Sequence, residues 1–238
     1  MITAEGLKKT FGEVQAVKDV SFSAADGKVT ALLGPNGAGK STTLRILSTV
    51  LQPSEGRASV DGHDVLTAPL DVRRAIGVLP HNAGIYDRLT ARENIRYYGE
   101  LHQISKIELN RRMDELITVL EMEEFCDRRA AGFSQGQKIK VALARALIHH
   151  PKNVLLDEPT NGLDVMATRA LREFIQHLKR EGRCVLFSSH IMQEVANLCD
   201  DLVIIGHGEV MFEGTLDRLA SRTQETDLEE AFIKVIGE

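Results

Sequence analysis

A glycine-rich segment that ends in lysine, serine and threonine carries the clearest chemistry in the sequence. Its residues are Gly34, Pro35, Asn36, Gly37, Ala38, Gly39, Lys40, Ser41 and Thr42, and they match in full the phosphate-binding pattern GxxxxGK followed by Ser or Thr. The glycines let successive backbone N–H groups turn towards one phosphate at the positive end of the following helix. Lys40 would reach the terminal phosphates, and the Ser41 hydroxyl would hold Mg²⁺. A plain glycine turn explains neither residue, so the segment predicts a nucleotide-binding site.

Two carboxylates follow an apolar run later in the chain. Residues 153–156 read as a buried strand, and Asp157 and Glu158 come directly after it. Ligands of open parallel sheets gather at the carboxyl ends of the strands, which would bring Asp157 close to the same Mg²⁺. Glu158 would then orient or deprotonate a water that attacks the γ-phosphate. The alternative is a strand that ends in solvated acids, but the presence of the phosphate-binding segment favours the catalytic interpretation.

The surrounding pattern predicts the elements that position these residues. Val29–Leu33 reads as a buried strand that leads into the glycine-rich loop, and the helix after the loop is predicted to carry Leu44, Leu47 and Leu51 on one face and to end before Pro53. Helical periodicity dominates residues 82–151, and strands alternate with helices after Pro151. This pattern predicts a mostly parallel α/β core interrupted by a helical insertion.

Composition narrows the class of protein further. The net charge is −5, and the basic residues form no long block, which argues against a nucleic acid partner. No apolar run approaches the ~18 residues of a membrane span, and the first residues do not resemble a signal peptide. The three cysteines and the remaining histidines show no metal-ligand spacing, so we expect a cytosolic protein without a metal site built from such residues.

The segment Phe133-Ser134-Gln135-Gly136-Gln137 makes the resemblance to a family specific. It resembles the signature of ABC ATPases, usually written LSGGQ, and it lies upstream of Asp157 as it does in that family. Ser134 and Gln137 also form a capping-box pattern at the start of a predicted helix. The resemblance implies that Ser134, Gly136 and Gln137 face the γ-phosphate bound to a second subunit. Gln135 departs from the family, which usually has glycine there.

Four further residues take roles that the resemblance implies. Phe11 would stack on adenine, with an inward-facing strand residue as the alternative. Asp164, in the Asn161–Asp164 segment, would lie at the contact with the partner subunit, although an ordinary turn has the same composition. His190 would contact the γ-phosphate, whereas a lone histidine is more often structural. His81 stands where the family has a glutamine that approaches Mg²⁺ or the attacking water; its imidazole would supply an acceptor nitrogen, or it is a tolerated linker residue.

The resemblance covers nearly the whole chain and implies its fold. We expect an α/β P-loop NTPase: a RecA-like, mostly parallel core with an N-terminal antiparallel β subdomain, plus an inserted α-helical signature subdomain. Residues 1–238 would form a single ABC ATPase domain. Its core would comprise residues 1–81 and 152–216, its helical subdomain residues 82–151, and its C-terminal helical tail residues 217–238.

The implied function is that of the ATP-binding subunit of an ABC transporter, which hydrolyses ATP with Mg²⁺ to drive a separate transmembrane permease. Complete sites would need a second ATP-binding subunit, and the chain would sit at the cytoplasmic face of the membrane, with the segment after His81 as the docking surface. Residues 79–94 and 227–232 resemble the sodium-export and drug-resistance branch, so sodium export is expected, with drugs, lipids or other small molecules as the alternative.

Two alternatives from other classes are less compatible with the sequence. DNA-repair ATPases of this type carry a long coiled coil between the two nucleotide motifs, and no sustained heptads occur between Lys40 and Asp157. Translation factors carry two ATPase domains in one chain. Glu158 and His190 argue against a nucleotide-gated scaffold without catalysis.

Overall fold

The computed structural model describes residues 1–237 and combines one ten-stranded sheet with nine helices over that range. The strands are β1 (Ile2–Phe11), β2 (Val14–Ala24), β3 (Val29–Leu33), β4 (Glu55–Val60), β5 (His63–Asp64), β6 (Ile76–Leu79), β7 (Asn153–Asp157), β8 (Cys184–Ser189), β9 (Asp201–Gly206) and β10 (Glu209–Gly214). The helices are α1 (Lys40–Leu47), α2 (Pro69–Ala75), α3 (Ala91–Leu101), α4 (Lys106–Val119), α5 (Gln135–Leu147), α6 (Val165–Arg180), α7 (Met192–Leu198), α8 (Leu216–Thr223) and α9 (Leu228–Ile236).

The centre of the sheet is parallel, as the alternation of strands and helices predicts. The strand order is β5-β4-β1-β2-β10-β9-β3-β8-β7-β6, and β9, β3, β8, β7 and β6 run parallel to one another. Every residue of β3, β7 and β8 is buried, which is typical of strands covered on both faces. The register pairs Asp157 with Ser188 and Leu33 with Ser189. The ends of three central strands therefore meet at one edge of the sheet.

The other half of the sheet is mainly antiparallel. Strands β1 and β2 form a hairpin, β4 pairs with β1, and β10 joins this half to β9. This arrangement matches the predicted N-terminal antiparallel β region and fixes β2 beside the loop that follows β3.

Three helices, α3 to α5, separate β6 from β7 along the chain. Their buried side chains, such as Ile95, Met113 and Leu143, belong to the same hydrophobic cluster as Val154 and Val185 of the sheet. Because this core is continuous, the division at residues 81 and 152 stays a prediction about units within one body. Glu238, the last residue of the predicted tail, lies outside the described residues.

The helix after the glycine-rich loop is shorter than predicted. It ends at Leu47, because Thr49 adopts a left-handed backbone with φ of 60° and the Arg45 carbonyl accepts hydrogen bonds from the N–H groups of Val50 and Leu51. Leu51 still packs against the core, but from the turn after the helix. The prediction that Leu51 lies on the helix is therefore wrong, whereas the prediction that the helix ends before Pro53 is confirmed.

The helices of residues 1–237 include none that is long and apolar enough to cross a membrane.

Candidate functional site

The glycine-rich loop begins where β3 ends and closes at the N-terminus of α1. A Cβ atom on Gly34 would lie 2.2 Å from the carbonyl oxygen of Ile205, so only glycine fits there. Gly39 has a φ of 106°, and a Cβ atom on it would lie 2.7 Å from the carbonyl oxygen of Ala16. The backbone of neighbouring strands therefore approaches the loop so closely that both positions require glycine.

Lys40 is folded back inside this loop. Its Nζ donates hydrogen bonds to the carbonyl oxygens of Gly34 (2.7 Å) and Pro35 (3.1 Å) and lies 3.9 Å from Oε1 of Glu158. Burial lowers the pKa of this ammonium, and the carboxylates of Glu158 and Asp157 oppose that shift. A phosphate bound in the loop would stabilise the charged form in the same direction as these carboxylates.

Asp157 accepts two hydroxyl hydrogen bonds on a single oxygen. Ser41 Oγ donates to Asp157 Oδ1 at 2.9 Å, and Ser188 Oγ donates to the same oxygen at 2.7 Å. Ser188 Oγ also accepts the backbone N–H of Glu158 at 3.0 Å. Sequence reasoning did not assign this role to Ser188, and the only available signal was a polar residue at the end of the strand next to β7.

The donor set at Ser41 and Asp157 fits Mg²⁺. A hydroxyl and a carboxylate oxygen are hard ligands, and Mg²⁺ in phosphate sites keeps several waters and takes only one or two carboxylates from the protein. Among residues 1–237, no cluster of three or more His, Cys, Asp and Glu side chains could hold a metal. The two oxygens therefore suit a metal that substrate phosphates and water help to bind.

Glu158 is the point on which the other groups converge. His190 Nδ1 lies 3.2 Å from Oε1 of Glu158, and His81 Nδ1 lies 3.5 Å from Oε2. The Glu158 side chain is 12% exposed, and its backbone has a φ of 48°, a strained conformation for a residue with a side chain. The structure thus brings Lys40, Glu158, His81 and His190 together, and the contact that it shows for His81 is with this glutamate.

The signature segment lies apart from this cluster. Ser134 caps α5: its Oγ accepts the Gln137 N–H at 3.2 Å, and Gln137 Oε1 accepts the Ser134 N–H at 3.0 Å. The predicted capping box is therefore confirmed. Within the described chain, no hydrogen bond joins Ser134 or Gln137 to the glycine-rich loop. Gln135 is exposed, and its Cγ lies near Gly162.

Two further predicted residues are exposed. The Phe11 ring is 45% exposed and lies under Lys9, whose Nζ is 5.1 Å from the ring centre, so the inward-facing alternative is wrong. Asp164 caps α6 by accepting the Ala167 N–H at 2.8 Å. The two residues after it, Val165 and Met166, are 84% and 73% exposed.

Comparison with known proteins places the chain among transport ATPases. The family model described as "ABC transporter" matches residues 17–161. The chain is 44% identical to the ABC transporter ATP-binding protein NatA of Bacillus subtilis, over 98% of this chain and 97% of that protein. It is 35% identical to the linearmycin resistance ATP-binding protein LnrL of the same species, over 93% of this chain and 71% of the relative.

Solved structures give the same result for the fold. An ATP-binding subunit of an ABC transporter superposes with a TM-score of 0.90 at 30% identity and covers 99% of both chains. A dimeric bacterial ABC transporter cassette superposes with a TM-score of 0.81 at 28% identity, over 91% of this chain and 99% of that one. Together with the loop, the carboxylates and the signature helix, these matches show that the chain belongs to the ABC transporter family as an ATP-binding subunit.

Proposed function

We propose that the chain binds ATP with Mg²⁺ at the glycine-rich loop and hydrolyses it to power export through a separate membrane subunit. The convergence of Lys40, His81 and His190 on the Glu158 carboxylate, next to the Ser41–Asp157 pair, is the observation that supports this best.

The binding groups would act before any bond breaks. The backbone N–H groups of residues 34–42 and the Lys40 ammonium would hold the β- and γ-phosphates, and Phe11 would stack on adenine. Ser41 and Asp157 would hold Mg²⁺, which supplies neutralisation of charge on the phosphate oxygens. Ser188 keeps the Asp157 carboxylate in place through its 2.7 Å hydrogen bond.

The hydrolytic step would centre on Glu158. Its carboxylate would orient the attacking water and accept its proton. His190 would hold Oε1 of Glu158 and donate to the γ-phosphate, while His81 would supply an acceptor on the water side. Because the His81 imidazole contacts Oε2 of Glu158, we infer that it lies beside the attacking water rather than binding the metal directly.

A complete site would also need a second ATP-binding subunit. Ser134, Gly136 and Gln137 would cover the γ-phosphate held by the partner's loop, and the turn that ends at Asp164 would meet the partner. The exposure of Ser134, of Val165 and of Met166 supports this, as does the dimeric state of a similar cassette.

The transported substrate is the finest part of the proposal. Relatives 34–36% identical to this chain are named for doxorubicin resistance in Mycobacterium tuberculosis and for Nod factor export in Rhizobium. The second of these names supports export as the direction of transport. Sodium is the proposed substrate because residues 79–94 and 227–232 resemble the branch that includes sodium-export and drug-resistance ATPases, with drugs, lipids or other small molecules as the alternative.

Reconstitution tests both the proposed ATP hydrolysis and the proposed substrate. The chain would be purified together with the membrane protein that co-purifies with it, the complex would be placed in vesicles, and ATP with Na⁺ or doxorubicin would be supplied on the side that the chain faces. We expect Mg²⁺-dependent ATP hydrolysis and ATP-driven movement of Na⁺. Movement of doxorubicin alone would replace sodium as the substrate, and absence of hydrolysis from the complex would contradict the proposed enzyme.

A further inference from the structure

Helix α7 buries a glutamate among apolar side chains. Glu194 is 5% exposed, and the other buried side chains of this helix are Val195 and Leu198. Within residues 1–237, Glu194 forms no ion pair. A carboxylate buried without a cation loses its hydration and gains no charge partner, so glutamate is rarely buried in this way. The contacts that Glu194 does make should therefore explain its position.

The Glu194 carboxylate contacts the hydroxyl of Ser189. Ser189 Oγ donates a hydrogen bond to Glu194 Oε2 at 3.0 Å, and it accepts the backbone N–H of Ile191, also at 3.0 Å. A serine hydroxyl has one hydrogen and two lone pairs. Because the carboxylate takes the hydrogen, the lone pairs stay available to the N–H of Ile191. Glu194 thus orients the hydroxyl that holds the backbone at residue 191.

These contacts restrain the chain on both sides of His190. Ser189 is the last residue of β8, and Ile191 directly precedes α7. The Ile191 carbonyl oxygen also accepts the backbone N–H of Glu194 at 3.2 Å. Glu194 therefore restrains Ile191 twice, directly at the carbonyl group and through Ser189 at the N–H. His190 is the single residue between the two restrained neighbours.

The His190 ring depends on its backbone for its position, because packing does little to hold it. Its side chain is 42% exposed, and its Nδ1 lies 3.2 Å from Oε1 of Glu158. An exposed imidazole can turn about two side-chain bonds, so the path of the backbone decides which positions the ring can reach. A small displacement of that backbone would take the ring away from Glu158.

The backbone of Glu158, on the other side of this contact, is held in a matching way. Ser188 Oγ accepts the Glu158 N–H at 3.0 Å and donates its own hydrogen to Asp157. Side chains of successive strand residues point to opposite faces of the sheet, so Ser188 and Ser189 serve different neighbours. In both cases a carboxylate orients a serine hydroxyl, and the hydroxyl fixes the backbone beside a group of the site. Glu194 has the place in the second arrangement that Asp157 has in the first.

We propose that Glu194 is a positioning residue for ATP hydrolysis: through the Ser189 hydroxyl it fixes the backbone around His190, so that the imidazole reaches Glu158 and the γ-phosphate. This rests on the proposed function, which gives His190 its contact with the γ-phosphate. The Glu194 carboxylate contacts Ser189 rather than the catalytic cluster, so its effect on hydrolysis must pass through His190. Without it, the Ser189 hydroxyl can rotate, and the imidazole has a wider range of positions.

Substitutions at Glu194 test the hydrogen bond in the full chain. Glu194→Gln keeps a carbonyl oxygen that can accept the Ser189 hydrogen, whereas Glu194→Leu removes every acceptor and retains an apolar side chain of similar size. We expect Glu194→Leu to lower kcat by about ten-fold with the KM for ATP unchanged, because a misplaced imidazole affects hydrolysis rather than binding. Glu194→Gln should keep kcat within about three-fold of the wild type. A wild-type kcat in Glu194→Leu would overturn the proposal.

Repeating the comparison without the imidazole tests whether Glu194 acts through His190. In a His190→Ala background, Glu194→Leu should cause no further loss of kcat, since the group that it positions is absent. Radioactive ATP would be used to follow the residual hydrolysis. A further loss of about ten-fold would overturn the proposal, because Glu194 would then act independently of His190. A wild-type kcat in His190→Ala alone would instead overturn the role of His190 in the proposed function.

A measurement without turnover examines the ring directly. The nitrogen NMR chemical shift of His190 Nδ1, assigned from the signal that His190→Ala loses, reports the contact of the ring with Glu158. We expect Glu194→Leu to move this signal and Glu194→Gln to leave it in place. An unmoved signal in Glu194→Leu would overturn the proposal, whatever hydrolysis remained.

Leu198→Ala is the matched control for weakened packing of α7. Leu198 is 3% exposed on the same helix, and its side chain cannot form a hydrogen bond with Ser189. Leu198→Ala should lower the free energy of unfolding but leave kcat and the His190 signal unchanged. If it reduced kcat as much as Glu194→Leu does, the packing of α7 would explain both losses, and the proposal would be overturned.

Discussion

At the scale of single residues, hydrogen bonds and ion pairs among the polar groups of the site restrain their positions. The Glu158 carboxylate is contacted by Lys40, His81 and His190. The backbone N–H of Glu158 donates a hydrogen bond to Ser188 Oγ. These contacts fix the direction of the carboxylate, as a group proposed to orient a water requires.

Replacing Glu158 with glutamine tests its role directly. Glu158→Gln keeps the shape of the side chain but removes its ability to accept a proton, so we expect phosphate release to fall by about 10²–10⁴-fold while ATP binding persists. Asp157→Asn serves as the comparison and should weaken Mg²⁺-dependent binding instead. Phosphate release and nucleotide binding would be measured on the same preparations. Hydrolysis by Glu158→Gln at the wild-type rate would remove the catalytic assignment.

Ser188 provides a second test at this scale. Ser188→Ala removes the hydrogen bond to Asp157 and leaves the Glu158 N–H without its acceptor, so we expect a loss of about 1–3 kcal/mol in the free energy of unfolding together with reduced kcat. Thr223→Ala is the matched control, because Thr223 is equally buried and bonds only within the C-terminal region. Urea unfolding and steady-state kinetics would measure both variants. An unchanged kcat in Ser188→Ala would make Ser188 a purely structural residue.

At the scale of elements, local patterns predicted the strand β3, the loop, α5 with its capping box and the two carboxylates at the end of β7, because each depends on residues close together in sequence. Ser188 was missed because its role depends on the register between β7 and β8, which no local pattern encodes. The early end of α1 was missed because the residue with a left-handed backbone after it is Thr49, whereas a glycine usually marks such an end. The contact of His81 with Glu158 likewise required the fold.

Two capping boxes allow the signature helix to be tested as an element. Ser134 caps α5, and Thr90 caps α3 with the same pair of hydrogen bonds. Ser134→Ala and Thr90→Ala should each lower the free energy of unfolding by about 1 kcal/mol. Only Ser134→Ala should also reduce ATP hydrolysis, because only that cap is proposed to face a nucleotide. Thermal unfolding and phosphate release would be compared between the two variants, and equal effects on hydrolysis would leave Ser134 with capping alone.

At the scale of the whole molecule, one half-buried histidine, His149, makes stability depend on pH. Burial is the main cause that lowers the pKa of His149 to about 4. The charge of His102 lowers it further, because the two rings are stacked with their centres 3.8 Å apart. The unfolded chain therefore binds a proton near pH 6.5 that the folded chain rejects until about pH 4, so this stability is present above pH 6.5 and is lost as the pH falls towards 4.

His149→Gln should flatten that part of the stability curve, because an amide can still donate to the Ile76 carbonyl oxygen but does not titrate. Urea unfolding of both proteins between pH 4 and 7 would show it. Parallel curves for the variant and the wild type would assign the pH dependence to other groups.

The central claim is that two subunits share each hydrolytic site, and mixing two inactive variants tests it most directly. Ser134→Arg would disrupt the signature segment of one subunit, and Glu158→Gln would remove the catalytic carboxylate of the other. Each variant alone should be inactive. In a 1:1 mixture of differently tagged subunits, random pairing makes half of the dimers mixed, and each mixed dimer has one intact site, so we predict about a quarter of the wild-type rate. A mixture that contains mixed dimers and stays as inactive as its parents would contradict the shared site.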